Sequence, residues 1–238
     1  MTTLQTALLY ATLAGITMPL GGLCACFESI RSQWLEDEFR HSVIAFGGGV
    51  LLAAIALVLV PEGMASVSLS LGVAMFVGGG VVFFIVDRVI QSRGGAVAQL
   101  MAMLLDFVPE SIALGAMLAT QNATALLLAG LIALQNFPEG FNAYRELVTG
   151  SKHSPRIILL GLAVAVLLGP LSAWLGHEFL RSSPQILGSI MLFAAGGILY
   201  LTFQDIAPQA KLEHHWAPSL AAVAGFTLGL IGDGLVHA

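Results

Sequence analysis

Two short stretches of this sequence carry side chains suited to holding a cation. One reads Leu105-Asp106-Phe107-Val108-Pro109-Glu110-Ser111, the other Leu134-Gln135-Asn136-Phe137-Pro138-Glu139-Gly140. Each has a polar residue followed by a Pro-Glu that ends four positions later. Residues four apart share a helix face, so Asp106 aligns with Glu110 and Gln135 with Glu139. The set offers three carboxylates and an amide, with no Lys, Arg or His among them. Three ionised acids at one place repel, so either some hold protons or a cation sits between them. The bland alternative is a cluster of neutral, hydrogen-bonded acids tying helices together, and two matched Pro-Glu pairs argue against it. Each proline lacks an N–H and is expected to free the carbonyl four residues back, at Leu105 and Leu134. Freed carbonyls are tolerated at membrane depth where they line a polar cavity. Two broken helices meeting at the midplane would make one.

The elements that position these groups follow from composition. The chain has 238 residues, 57% of them hydrophobic and only 10% charged. A soluble domain carries about 25% charged residues. So few charges exclude a soluble enzyme, a secreted domain and a disordered chain. The net charge of -5 argues against nucleic acid, which needs a basic surface. A polytopic membrane protein remains, with the lipid bilayer as its surroundings and no nucleic-acid partner. Apolar runs lie at about Leu4–Phe27, His41–Val60, Val67–Val89, Ala96–Ala119, Thr124–Leu147, Ile157–Leu175, Gln185–Ile206 and Ala217–Val236. A spanning helix needs about 20 apolar residues and a membrane strand about 10, so the runs predict eight transmembrane helices. The expected fold is an all-α polytopic membrane protein forming a single transmembrane domain over 1–238. Helices 1–3 cover about 4–89, helices 4–5 about 96–147 with the cation site, and helices 6–8 about 157–236.

Basic residues orient the bundle. The loops after spans one, three, five and seven hold Arg31, Arg40, Arg88, Arg93, Arg145, Lys152, Arg156 and Lys211, against Arg181 alone on the other side. This bias puts both termini outside the cytosol. Spans four and five then form an antiparallel hairpin. At about 1.5 Å rise per residue, Asp106, Glu110 and Glu139 fall within about 8 Å of the midplane. Val60-Pro61-Glu62 ends span two outside, and Ala207-Pro208-Gln209 ends span seven inside. The pairing predicts an inverted repeat of helices 1–3 and 6–8 around the helix 4–5 hairpin. Glycine clusters such as Gly47-Gly48-Gly49 are expected to let helix backbones approach closely in lipid. Cys24 and Cys26 are expected to be small buried residues. Nothing resembles a cleaved signal peptide, since the first ten residues lack Lys and Arg.

Other polar groups sort by side. Asp87 and Asp205, near the cytosolic ends of spans three and seven, are candidate metal ligands along an exit path. Helix-end hydrogen bonding is the competing reading for each. Glu62, His177, Glu178, Asp233 and His237 lie outside and read chiefly as solvated loop charges. His214-His215 is a weak cytosolic chelation signal.

The paired motifs resemble those of the ZIP (Zrt/Irt-like) metal transporters. Members typically have eight spans, His-Asn-x-Pro-Glu-Gly in span four and His- or Gln-x-x-Pro-Glu-Gly in span five. The resemblance implies movement of Zn²⁺, Fe²⁺, Mn²⁺ or Cd²⁺ into the cytosol across the cell (inner) membrane, without catalysis. The metal is substrate, and a second copy of the chain is a candidate partner. In this sequence Asp106 stands where the family usually has His, and Phe107 where it has Asn. Asn136 often corresponds to an acid, and Gly169-Pro170 stands where many bacterial members have Glu-Pro. The last three of these positions, at Phe107, Asn136 and Gly169, serve the second metal in members that bind two. The expectation is therefore one metal held by Asp106, Glu110, Gln135 and Glu139, with Asn136 a marginal contact. An all-oxygen set suits harder cations such as Mn²⁺, while the Irving–Williams order still favours Zn²⁺. Two rivals remain in view: a metal-binding sensor or scaffold with little transport, and a proton-coupled cation carrier. An intramembrane protease fits poorly, because Gly232-Asp233 does not complete a Gly-x-Gly-Asp pattern.

Overall fold

The computed structural model describes residues 1–28, 33–92, 98–210 and 216–238, with the side chains at 33–37, 92 and 98 outside that description. Arg31, Arg93, Lys211, His214 and His215 therefore fall outside the described residues. Every described element is helical. In chain order they are α1 Thr3–Phe27, α2 Gln33–Ala53, α3 Val60–Ala65, α4 Leu69–Ser92, α5 Ala98–Ala119, α6 Thr124–Gly150, α7 Pro155–Ala165, α8 Leu168–Leu175, α9 Pro184–Leu201, α10 Ala207–Ala210 and α11 Ala217–Val236. Short π-helical turns follow α2 (Ala54–Leu59), α8 (Gly176–Leu180) and α9 (Thr202–Ile206).

Local chemistry explains the boundaries. Thr2 and Gln5 close a capping box at the start of α1: Gln5 N donates to Thr2 Oγ1 at 3.2 Å, and Thr2 N donates to Gln5 Oε1 at 2.9 Å. Pro155, Pro184 and Pro218 sit in the first turns of α7, α9 and α11, where a missing N–H costs nothing. The π turns before Val60-Pro61 and Ala207-Pro208 lie where each proline removes a hydrogen bond from the turn below it.

Seven helical segments among the described residues are long and apolar enough to cross a membrane. α6 is not one of them. It is 27 residues long but carries Gln135, Asn136, Glu139, Asn142, Arg145 and Glu146. It also lies deepest, with Leu128, Leu131, Ile132, Phe141 and Tyr144 buried along its length. By contrast α4 and α11 turn apolar side chains outward, among them Val73, Val77, Val81, Leu220, Val223 and Leu235. Cys24 is exposed and Cys26 half-buried, so the expectation of two buried cysteines is corrected. Position 24 falls on the outer face of α1 beside exposed Leu20 and Leu23.

The helices form two groups. α1, α5, α6, α7 and α8 pack together, and α2, α3, α4, α9, α10 and α11 make the other. Within each group, glycines let backbones touch, and they do so in reciprocal pairs. A Cβ on Gly21 would strike Phe137 O of α6, and one on Gly140 would strike Met18 O of α1. Gly115 and Ala173 O pair with Gly176 and Ile112 O where α5 crosses the α8 segment. Gly49 and Gly225 do the same for α2 and α11, as do Gly79 and Gly196 for α4 and α9. The expected packing role of glycine is met at these crossings. The groups meet where α2 packs on α6 and α9 on α5.

Candidate metal site

The site stands on the α5–α6 hairpin. Its turn is tight: Gln121 takes the left-handed conformation at φ 56°, a position usually left to Gly. Asn122 completes it by accepting from Thr124 N at 2.8 Å and donating through Nδ2 to Glu62 Oε2 at 3.0 Å. This short return sets the two Pro-Glu motifs side by side. Both helices run through their prolines without a break. The expected pair of broken helices is therefore corrected, since a helix gripped by neighbours on several sides can forgo one hydrogen bond and continue.

The hairpin buries the whole motif set. Glu110, Gln135 and Asn136 have no exposed surface, while Asp106 and Glu139 keep 4% and 5%. Gln135 Nε2 donates to Glu110 Oε2 at 2.6 Å across the helix interface. Asp106 and Glu139 lie within hydrogen-bonding reach of each other, and both feel the charge of Glu110. Asn136 Nδ2 donates to Ala14 O at 3.0 Å, which ties α6 to α1.

These contacts leave oxygens over. Asp106 Oδ1, Glu110 Oε1, Gln135 Oε1, Asn136 Oδ1 and Glu139 Oε2 are all buried without a hydrogen-bond partner, as is Ser111 Oγ. A buried orphan of this kind costs about 1–3 kcal/mol, more if charged. So many at one place fit a group that accepts oxygen donors, and a divalent cation is such a group. Among the described residues, no three His, Cys, Asp or Glu are already drawn to metal-holding distance.

A narrow pocket reaches Glu139 from one end of the bundle, lined by Ile44, Gly47, Gly48, Gln99, Pro138, Asn142 and Ile206. Beyond it lie further acids. Asp87 is buried and accepts from Tyr200 Oη at 2.9 Å and from Gln91 Nε2 at 2.9 Å. Asp205, half-buried, feels the charges of Asp87 and Glu146. Glu146 accepts from Gln99 N at 3.0 Å, at the first turn of α5. The structure thus brings Asp87 and Asp205 into one acidic neighbourhood, separate from the α5–α6 set. Sequence reading missed Glu146, Gln99 and Asn142. A signal existed, since Asn142 and Glu146 follow Glu139 by three and seven positions, on the same helix face. On the opposite end His177 is buried, and its ring contacts Thr3 Oγ1 at 3.0 Å and Glu178 Oε1 at 2.8 Å. It is a packed residue rather than the solvated loop charge expected.

A helical membrane protein with a buried, oxygen-rich site at its core is the class these observations define. The chain is 26% identical, over an alignment 258 positions long, to the protein named zinc transporter ZupT of Shigella flexneri serotype 5b (strain 8401), spanning 93% of each. It stands at the same identity and coverage to zinc transporter ZupT of Escherichia coli O7:K1 (strain IAI39 / ExPEC). No family model matches the chain. Homology of this extent supports membership of the ZIP (Zrt/Irt-like) family, the one the paired motifs resemble. These relatives are named as transporters rather than enzymes, in line with the reading of a chain without catalytic chemistry.

Proposed function

We propose that this protein transports a divalent metal cation, Zn²⁺ foremost with Mn²⁺, Fe²⁺ and Cd²⁺ as further substrates, into the cytosol across the cell membrane. Asp106, Glu110, Gln135 and Glu139 are its ligands, with Asn136 a marginal contact and Asp87 and Asp205 on the exit path. The single observation that carries the reading is the cluster of partnerless buried oxygens on this ligand set.

The same reading takes α6 as the eighth span and sets both termini outside the cytosol. α6 is as long as its neighbours, and its polar load falls on faces covered by other helices. The inverted repeat draws support from the glycine crossings. Exchanging α1 with α7–α8, α2 with α9, α4 with α11 and α5 with α6 turns the α1–α6 crossing into α8–α5. It turns α2–α11 into α9–α4. Matching π turns before Pro61 and Pro208 follow the same exchange.

The test is Zn²⁺ flux into proteoliposomes containing the full chain, read with an internal fluorescent chelator. Wild type is expected to fill the vesicles and Glu139→Ala to leave them at the protein-free rate. Wild-type binding without flux would favour a sensor or scaffold. Undiminished flux in Glu139→Ala would overturn the site assignment.

A further inference from the structure

Arg40 lies on α2, toward the end of the bundle at which the pocket to Glu139 opens. An arginine at such an end ordinarily runs its stem over apolar surface and leaves its head in water. This one is half-buried, and its Nε is covered by protein without a hydrogen-bond partner. Among the described residues, no ion pair offsets its charge.

The register of α2 sets Arg40 in the pocket wall. Positions 40, 44, 47 and 48 return to one side of a helix with 3.6 residues per turn. Ile44, Gly47 and Gly48 of that row line the pocket. The row faces both neighbouring walls: a Cβ on Gly47 would stand 2.8 Å from Pro138 Cγ, and one on Gly48 would stand 2.9 Å from Ile206 Cγ2. Farther out, the rings of Phe39 and Phe141 meet edge-on with centroids 6.1 Å apart, so α2 still lies against α6 at the level of Arg40. Arg40 extends the row one turn past Ile44, to the pocket mouth.

A fixed positive charge thus stands across from acids. Asp205 adjoins Ile206, and Glu146 follows Asn142 by one turn of α6. Ile206 and Asn142 both line the pocket. Carboxylates draw a cation along this path, whereas a guanidinium, charged at any physiological pH, repels it. In water at low salt, a dication about 10 Å from one positive charge is disfavoured about fourfold, and more where protein displaces water.

We infer that Arg40 is a charge gate at the mouth of this pocket. It hinders divalent cations from entering the site by this end, so the site is not refilled from the side on which it empties. The inference rests on the proposed transport site and adds what regulates access to it.

The test is the rate at which full-length protein, purified in detergent and mixed rapidly with Zn²⁺, removes the ion from a fluorescent Zn²⁺ indicator. At low salt, Arg40→Gln and Arg40→Met are expected to bind about fourfold faster than wild type or more. Arg40→Lys keeps the charge and is expected to match wild type. In 1 M salt, where charges are screened within about 3 Å, the neutral variants should fall back to the wild-type rate. Two neutral variants are used so that one that fails to fold does not decide the outcome. Folded neutral variants that bind at the wild-type rate at low salt would overturn the inference. So would a gain that persists in 1 M salt, or one that Arg40→Lys shares, since either would trace it to lost packing rather than charge. A wild type that binds no Zn²⁺, or binding left unchanged by Glu139→Ala, would instead bring down the proposed site, and the inference with it.

Discussion

Replacing Gly169 by Ala puts a methyl group where the structure has two atoms waiting for it. The new Cβ would lie 2.6 Å from the Phe107 ζ carbon and 2.9 Å from Ala11 O. Carbon atoms rest at about 3.5–4.0 Å, so the ring contact is short by about 1 Å. Overpacking a filled core costs about 1–3 kcal/mol, and the backbone contact at Ala11 points to the upper half of that range. Phe107→Ala alone removes a fully buried ring and is expected to cost about 3–5 kcal/mol. In the double variant the Gly169 methyl enters space the ring has left, while the Ala11 contact remains. The two changes should therefore fall short of their sum by about 1–2 kcal/mol, within the range found for residues in contact. The assay is a double-mutant cycle by reversible unfolding in mixed detergent micelles, followed by circular dichroism. Costs that simply add would show that ring and glycine do not touch, and would refute this contact.

Asp106→His exchanges a hard oxygen ligand for imidazole and is expected to raise the Zn²⁺:Mn²⁺ preference in competition uptake. An unchanged ratio would count against Asp106 as a ligand. Asn122→Ala removes both the cap on Thr124 N and the hydrogen bond to Glu62, and should lower stability by about 1–2 kcal/mol in the same unfolding assay. Arg145 pairs with Glu28 at 2.5 Å, with the Glu28 side chain only 9% exposed. Arg145→Ala should cost about 2 kcal/mol by leaving that carboxylate unpaired, and Glu28→Gln less, because a neutral amide tolerates burial better. Equal losses in these two variants would argue that packing of the Arg145 stem over Phe141, rather than charge, holds the two helices together.

Helix positions were readable to within a few residues for most spans, because long apolar runs with Pro, Gly and charge between them leave little choice in lipid. α1, α5 and α11 begin and end close to the expected limits. The expected start of span two at His41 was late, since the helix already runs from Gln33 on polar residues that no hydropathy window would include. α6 shows the converse: its motif was plain from two matched Pro-Glu pairs, yet the same polar residues take it out of the group recognisable by apolarity. That Asp106 shares a helix face with Glu110, and Gln135 with Glu139, was legible in their spacing. Other contacts were not, because they join residues far apart in sequence. Asn136 to Ala14, Glu146 to the start of α5, and Phe107 against Gly169 are set by how helices cross, which periodicity along one helix does not encode.

The reciprocal glycines also have a mechanical meaning. Where two backbones touch without side chains between them, a displacement of one helix is passed to the other with little give, whereas interleaved side chains can change rotamer and absorb it. Such stiff joints couple α6 to α1 and α5 to α8, and a separate set couples α2 to α11 and α4 to α9. Across the boundary the glycines among the described residues meet only side chains, as Gly47 meets the Pro138 ring and Gly232 meets Leu127. The hydrogen bonds from Asn122 to Glu62 and from Asn142 to Gln209 cross it near its two ends. A pull exerted by a cation on Glu110 and Glu139 would therefore be felt first as far as α1 and α8, and would reach the other helices only through a compliant seam.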